Sequence, residues 1–328
     1  MKDIIKTKKH ALILSHQGPD GDSIGSSVSL SLYLNKIGID NKIIFPDTYP
    51  SFYSWVNGIE NSIIASENLD SLNDLFDKSD LIFCLDFNHR NRVGANLSPF
   101  LFNTIDKHVI VIDHHKNPEN FGNSEIIDTN ASSTCELVFN LIKANGDINL
   151  IDIPIAESIY IGLITDTGSF KYSSVSSSTH LIASKLKEIG LNHVDIHNNI
   201  FDQNSVSKIN LLGYALQKIK LDKKSSLAYL VLSKKELEQF NFQKGDSEGF
   251  VNYCLSIKNI KNAVFLREDL NLIKISFRSK GGVKMNEFSQ KYYGGGGHQN
   301  AAGAAVESND IDTVTKQLIE NFRSFCSV

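Results

Sequence analysis

The chain has 328 residues, of which 41% are hydrophobic and 21% charged, and a formal net charge of -4. This is ordinary globular composition, long enough for two domains of roughly 100 to 200 residues each, and it excludes a disordered, collagen-like or fibrous protein. The acidic balance also excludes a protein that coats long duplex nucleic acid, a mode that relies on many Lys and Arg contacts to phosphate, while a small anionic substrate held by a local cluster remains compatible.

The N-terminus carries lysines at 2, 6, 8 and 9, but the apolar run at 11–14 stops at Ser15-His16 and is too short for a secretory signal. The longest apolar stretches, at 81–85 and 109–112, are strand-sized and far below the roughly 20 residues a bilayer span requires. Cys84, Cys135, Cys254 and Cys326 form no Cys-x-x-Cys pair, so the expectation is a reducing cytoplasm with neither zinc knuckle nor disulfide framework.

Residues 1–195 read as alternating strands and helices, the pattern of an α/β domain with a parallel sheet and helices on both faces. A first strand is predicted at 11–15. The spacing of Ile24, Val28, Leu32 and Leu34 predicts a helix over 23–37, with Gly38 as its C-terminal cap. Strands follow at 42–45, 81–85 and 109–112, and helices at 132–144 and 153–164, with Gly146 and Pro154 as punctuation. Residues 196–220, with Ile196, Ile200, Ile209, Leu212, Leu216 and Ile219, predict a helical connector. The remainder, 221–328, reads as a smaller C-terminal α/β domain: a strand at 227–232, a helix at 246–255, strands at 263–266 and 272–277, a glycine run at 294–297, a last strand and a last helix.

Ligands of an open parallel sheet bind beyond the carboxyl ends of its strands, so polar residues that directly follow apolar strands are the ones to inspect. His16-Gln-Gly-Pro-Asp20-Gly-Asp22 follows the first strand, Asp86 follows 81–85, and Asp113-His114-His115 follows 109–112, while Asp166 lies just past the helix at 153–164. Taken singly, Asp22 reads as a helix cap, Asp86 as a turn residue and Asp20-Gly-Asp22 as a surface loop. Together they do not, because like charges crowded at one sheet edge repel and are costly to desolvate without a counter-charge. Asp20, Asp22, Asp86 and Asp166 would balance two divalent cations, with His16 and His114 adding nitrogen ligands. An oxygen-rich set without thiolate favours Mn²⁺ or Mg²⁺, and imidazole tilts the choice to manganese. Paired ions of this kind serve phosphoryl hydrolysis without a side-chain nucleophile, and neither a Gly-x-Ser-x-Gly elbow nor a Walker-type loop is present.

These motifs, together with Gly294-Gly-Gly-Gly-His298-Gln-Asn-Ala301-Ala302-Gly303 near the C-terminus, resemble the DHH phosphoesterase superfamily and its DHH-associated C-terminal domain. Length and layout are most similar to its nanoRNase and phosphoadenosine-phosphate phosphatase group. The resemblance implies one metal on His16, Asp20 and Asp86 and a second on Asp22, Asp86, His114 and Asp166, with Asp86 bridging. It implies that Asp113 orients the His114 imidazole, and that His115 faces the scissile phosphate and steadies its charge or protonates the leaving oxygen. It further implies short RNA or 3′-phosphoadenosine 5′-phosphate as substrate, held by the C-terminal part while the metal pair hydrolyses the ester.

Substrate contacts are expected from Gly295, Gly296, Gly297 and His298, since glycine amides approach an anion closely; a flexible linker is the plainer use of such a run. Arg92 and Arg278 are the candidate phosphate cations; an exposed salt bridge is an equal use for Arg92, and a lone arginine such as Arg278 is more often an ordinary surface residue. Lys171 stands where the resemblance implies arginine, which replaces a bidentate fork with a point charge. Competing readings are a linear or cyclic dinucleotide messenger phosphodiesterase, a RecJ-like single-strand DNA exonuclease, a manganese pyrophosphatase and a non-catalytic nucleotide sensor. Oligomeric state, a homodimer included, is left open by the sequence.

Overall fold

In the computed structural model the described residues are 1–326 except 105, 244 and 309, and residue 298 is described by its backbone alone. The chain divides into two units, Met1–Gln203 and Asn204–Val328.

In the first unit, β1 (His10–Leu14), β2 (Asp40–Phe45), β3 (Ser62–Ile64), β4 (Leu81–Leu85), β5 (His108–Asp113) and β6 (Ser124–Ile127) alternate with α1 (Lys2–Lys6), α2 (Gly21–Lys36), α3 (Leu69–Lys78), α4 (Gly94–Phe102), α5 (Thr134–Ala144), α6 (Ile153–Asp166), α7 (Ser177–Glu188) and α8 (His193–Phe201). Among the described residues the strands form one sheet in the order β3-β2-β1-β4-β5-β6, with every pairing parallel. Near-continuous apolar strands follow from burial on both faces. Ala11 and Ile13 join the core with α2, α5 and α6, while Leu12 and Leu14 join the opposite core with α3 and α4. The strand order reverses direction between β1 and β4, and that switch point opens a crevice beyond their carboxyl ends.

Two helices meet unusually closely above that crevice. A Cβ on Gly25 of α2 would lie 2.3 Å from the Ser158 carbonyl oxygen of α6, and one on Gly162 of α6 would lie 2.4 Å from Asp22 Oδ1. Glycine at these positions therefore sets the spacing that brings Asp22 and Asp166 to the same side of the site, around His114.

The second unit contains α9 (Val206–Gln217), β7 (Lys220–Asp222), β8 (Leu227–Leu232), α10 (Lys234–Gln239), α11 (Phe250–Ser256), β9 (Asn262–Glu268), β10 (Leu272–Ser279), α12 (Met285–Tyr293), β11 (Gly296–His298), β12 (Ala301–Glu307) and α13 (Ile311–Cys326). Its sheet runs β11-β12-β10-β9-β8-β7, antiparallel except for the β8/β9 pair. Phe277, Phe288, Leu318 and Phe322 centre the core on one face, and Leu211, Ala215, Phe250 and Phe265 the core on the other.

Residues 196–220, expected as a helical connector, run from within α8 through α9 to the first residue of β7; Ile196 of α8 is packed into the first unit's core, and Leu211 and Ala215 of α9 into the second's. Other expectations need correction. The strands β3 and β6 were not anticipated, being short and only half-buried, and α4 was hidden by Pro99 inside it. The helix expected from 246 starts at Phe250, behind the left-handed Gly249. Among the described residues no helix is long and apolar enough to cross a membrane.

Candidate metal centre

The carboxyl ends of β1, β4 and β5 with the segments that follow them, the first turn of α2 included, and the last residue of α6 carry His16, Asp20, Asp22, Asp86, Asp113, His114, His115 and Asp166. Asp20 is the N-cap of α2 and accepts the Asp22 and Ser23 amides at 3.1 Å each, so the cap is Asp20 and not Asp22. Its neighbour is then turned inward: Asp22 is 1% exposed, while the Asp20 side chain is 58% exposed at the rim. Asp86 follows β4 in left-handed conformation (φ 66°), a backbone state uncommon outside glycine that aspartate and asparagine adopt more readily than other residues.

The side chains converge as two groups, with Asp86 in reach of both. His16 Nε2 lies 3.8 Å from Asp20 Oδ1 and 3.4 Å from Asp86 Oδ2. On the other side, His114 Nε2 lies 3.6 Å from Asp86 Oδ1, 3.8 Å from Asp22 Oδ2 and 3.4 Å from Asp166 Oδ2. His16, Asp20 and Asp86 form one group that could hold a metal ion, and Asp22, His114 and Asp166 another. The two oxygens of Asp86 face different groups. Both imidazoles present Nε2 because their Nδ1 atoms are engaged by carbonyls, His16 with Gln17 at 2.9 Å and His114 with Ala131 at 3.3 Å.

Asp113 departs from expectation. Its Oδ1 lies 2.7 Å from His115 Nδ1, so it orients His115, while the backbone of Ala131 orients His114. His115 also sits with Asp86 and His114 in a group of metal-ligand geometry. The Nδ1 atom on that side is already held by Asp113, which argues for hydrogen bonding over metal ligation there.

Burial and crowding shift the titration of these groups. Burial, reinforced by the neighbouring Asp86 charge, pushes the Asp22 carboxyl up to about 7, and burial with Asp22 nearby drives Asp166 well above the usual carboxylate range. Burial alone would depress the imidazoles. Instead, hydrogen bonds to Asp20 and Asp86 hold His16 up at about 10, and the charges of Asp86, Asp22 and Asp166 hold His114 up at about 9. At Asp86 burial is outweighed by the hydrogen bond to His16 and the imidazoles around it, and the carboxyl lies well below its ordinary range. Protons thus stand where cations would neutralise the cluster, and the donor set fits hard divalent ions.

Thr134 was not anticipated. Its amide donates to Asp22 Oδ2 at 2.5 Å, its hydroxyl donates to Asp86 Oδ1 at 3.0 Å, and the next amide, Cys135, donates to Asp22 Oδ1 at 2.9 Å. The legible signal was Ser133-Thr-Cys-Glu136, the spacing of a capping box at a helix start, where amides are available to a carboxylate.

The proposed substrate contacts are less uniform. Arg92 is tied to the site loop through its carbonyl, which accepts the Gln17 amide at 2.7 Å, and it makes no ion pair among the described residues; Arg90 takes the pair with Glu119. Lys171 is exposed beyond α6. In the second unit the glycine run is no linker. Gly294 ends α12 in left-handed conformation, and Gly295 and Gly297 lie so near the β12 backbone that a Cβ would sit 2.2 Å from the Gly303 oxygen and 2.5 Å from the Ala301 oxygen. Close packing accounts for Gly295 and Gly297 and the left-handed backbone for Gly294, whereas Gly296 faces open space. Arg278 pairs in register with Ala301, which pairs with residue 298, so these candidates share one row of the sheet. The His298 side chain lies outside the described residues.

Fold and site together define a phosphoesterase of the DHH type. Residues 10–163 match the DHH family N-terminal domain and residues 224–324 the DHHA1 domain, and the chain belongs to this family. Among solved structures it is similar to an exopolyphosphatase-related protein from Bacteroides fragilis, 36% identical, with a TM-score of 0.95 over 99% of this chain and 96% of that one. It is also similar to the bifunctional oligoribonuclease and PAP phosphatase NrnA of Bacillus subtilis, 27% identical over 90% of this chain and 88% of that protein. The protein of the same name from Thermus thermophilus is 28% identical over 95% of this chain and 88% of its own length.

Proposed function

We propose that this protein is a two-metal, manganese-preferring phosphoesterase that hydrolyses short oligoribonucleotides and 3′-phosphoadenosine 5′-phosphate. The observation that carries the reading is Asp86: buried, held in left-handed conformation, with one oxygen toward His16 and the other toward His114. A lone structural carboxylate needs no such arrangement. In this reading His16, Asp20 and Asp86 hold one ion, and Asp22, Asp86, His114 and Asp166 the other.

Divalent ions held there would neutralise phosphate oxygens and acidify a water for attack. The chain's own residues do the rest. Gln17 and Ala131 carbonyls keep the two ligand imidazoles turned to the site. His115, oriented by Asp113, steadies charge on the scissile phosphate or gives a proton from Nε2 to the leaving oxygen. Arg92 contacts a substrate phosphate through its fork, and Arg278, Gly295, Gly296, Gly297 and His298 contact the nucleotide. The substrate class rests on the relatives bearing the oligoribonuclease and PAP phosphatase name.

The test is a panel. Chelator-stripped protein reloaded with Mn²⁺ or Mg²⁺ is incubated with defined diribonucleotides, longer RNA, 3′-phosphoadenosine 5′-phosphate, cyclic dinucleotides and pyrophosphate. Turnover of the first and third, stronger with Mn²⁺ and abolished by chelation, is expected. Release of product from cyclic dinucleotides or pyrophosphate alone would refute the substrate assignment, and no metal-dependent release from anything would refute the enzyme.

A further inference from the structure

We propose that Thr134 is a positioning residue whose hydroxyl fixes the plane of the Asp86 carboxylate, so that the bridging geometry is set before any ion arrives. The inference rests on the two-ion reading above and assigns a role to a residue that would touch neither ion.

The need for such a residue is torsional. The terminal torsion of an aspartate is broad, so the backbone of Asp86 alone does not fix the plane of its carboxylate. One of its two equivalent oxygens must point at the His16 side and the other at the His114 side for one carboxylate to serve both. The Thr134 hydroxyl donates to Oδ1 at 3.0 Å, on the His114 side, which selects that orientation. The same residue fixes the second group's other buried carboxylate, because its amide donates to Asp22 Oδ2 while the Cys135 amide takes Oδ1. A single turn at the head of α5 thus holds both buried carboxylates.

That turn is itself braced. Ser133 caps α5 by accepting the Glu136 amide at 3.1 Å. Glu136 Oε2 in turn accepts the Ser132 amide at 3.1 Å, the Ser132 hydroxyl at 2.6 Å and the Thr179 hydroxyl at 3.1 Å, which ties the turn to the start of α7. Glu136 is 5% exposed, and Thr134 is fully buried. The network gives Thr134 one position, and outer partners of metal-binding groups typically change metal affinity by 10–100-fold when removed.

The experiment compares Thr134→Val, which keeps shape and the backbone amide but loses the donor, with Thr134→Ser, which keeps the donor. Metal-free proteins are melted to verify folding, titrated with Mn²⁺ by calorimetry, and studied by electron paramagnetic resonance, where two ions bridged by one carboxylate give an exchange-coupled spectrum. The expected result is two coupled ions in the unaltered protein and in Thr134→Ser. In Thr134→Val the second ion should bind about 10–100-fold more weakly and the coupled signal should vanish. Should Thr134→Val fail to fold, Thr134→Ala, which brings no methyl against the carboxylate, is expected to give the same two readings. Unaltered affinities and coupling in the variant that lacks the hydroxyl, or a Thr134→Ser protein as impaired as Thr134→Val, would overturn the proposal while leaving the enzyme intact. An unaltered protein that binds no second ion would overturn both.

Discussion

Gly162→Ala should damage the fold and the metal centre together. The added Cβ would sit 2.2 Å from Cys135 Sγ, 2.4 Å from Asp22 Oδ1 and 2.8 Å from Cys135 Cβ. Optimal heavy-atom separations are about 3.5–4.0 Å, so something must move by roughly 1 Å. Neither neighbour can swing away cheaply: both Asp22 oxygens are held by the amides of Thr134 and Cys135, and Cys135 is buried between the Asp22 and Ser158 carbonyls. Overpacking of this sort costs typically about 1–3 kcal/mol, from which helix propensity returns up to about 1 kcal/mol. With both neighbours fixed, a net loss of about 1–2 kcal/mol is expected. At about 2–4 °C per kcal/mol for a unit of this size, the metal-free melting temperature should fall by about 2–8 °C. Misplacing Asp22 by this amount should also weaken Mn²⁺ binding at least about tenfold, given that a 1 Å error at a catalytic site can cost 10²-fold. The control is Gly213→Ala in α9, where a Cβ meets nothing within 4 Å and up to about 1 kcal/mol of stability should be gained. Differential scanning calorimetry and Mn²⁺ titration read both. A Gly162→Ala protein with unchanged melting and unchanged affinity would refute the claim that α2 and α6 are spaced by glycine for the sake of Asp22.

Asp86→Asn should fold, since asparagine tolerates left-handed backbone, yet lose at least about a hundredfold in turnover, more than the 10–100-fold typical of outer partners; near-normal turnover with full metal content would contradict a bridging role. Asp113→Asn should lower kcat by about 10²–10⁴-fold with metal content retained, because it disturbs the group that orients His115; loss of metal instead would mean that Asp113 serves His114. His16 at about 10, His114 at about 9 and Asp22 at about 7 must all shed protons to bind cations. Apparent Mn²⁺ affinity should therefore rise by about tenfold per pH unit for each proton displaced between pH 6 and 9, and a flat calorimetric profile would count against these groups as ligands. The same groups bind protons more tightly folded than unfolded. Their stabilisation is whole at low pH and is lost across about pH 4–7 for Asp22 and about pH 6.5–10 for the two imidazoles. Metal-free protein should accordingly melt at lower temperature at pH 9 than at pH 6, and Mn²⁺ should remove the difference.

What was legible in the sequence was whatever obeys a short period. Leu81–Leu85 and the apolar core of His108–Asp113 are unbroken runs because both faces of their sheet are covered, and the polar residue that ends each run falls at a strand's carboxyl end by construction. Asp86 and Asp113-His114-His115 could be found by that rule alone. Asp166 could not, since it closes a helix, and only its company with the others singled it out. Partnerships were less visible than positions. Asp113 adjoins His114 in sequence, but neighbours on an extended strand point to opposite sides, and the carboxylate meets the residue two further on.

The same logic explains why the glycine run invited two readings. A run of residues without side chains is compatible with a tether or an anion cradle, and only the packing against β12 shows that Gly295 and Gly297 are demanded by backbone approach, with Gly294 demanded by its left-handed conformation. Thr134 was harder still, for a threonine inside Ser-Ser-Thr-Cys-Glu looks like any helix start. Its importance comes from where the fold delivers that start: against the carboxylates that leave β4 and enter α2. A helix N-terminus satisfies its own amides with whatever acceptor is near, and here the acceptors are the groups that need holding still. Capping and metal-site preorganisation are then one set of hydrogen bonds, which is why a change at Thr134 should be read first in metal binding and only second in stability.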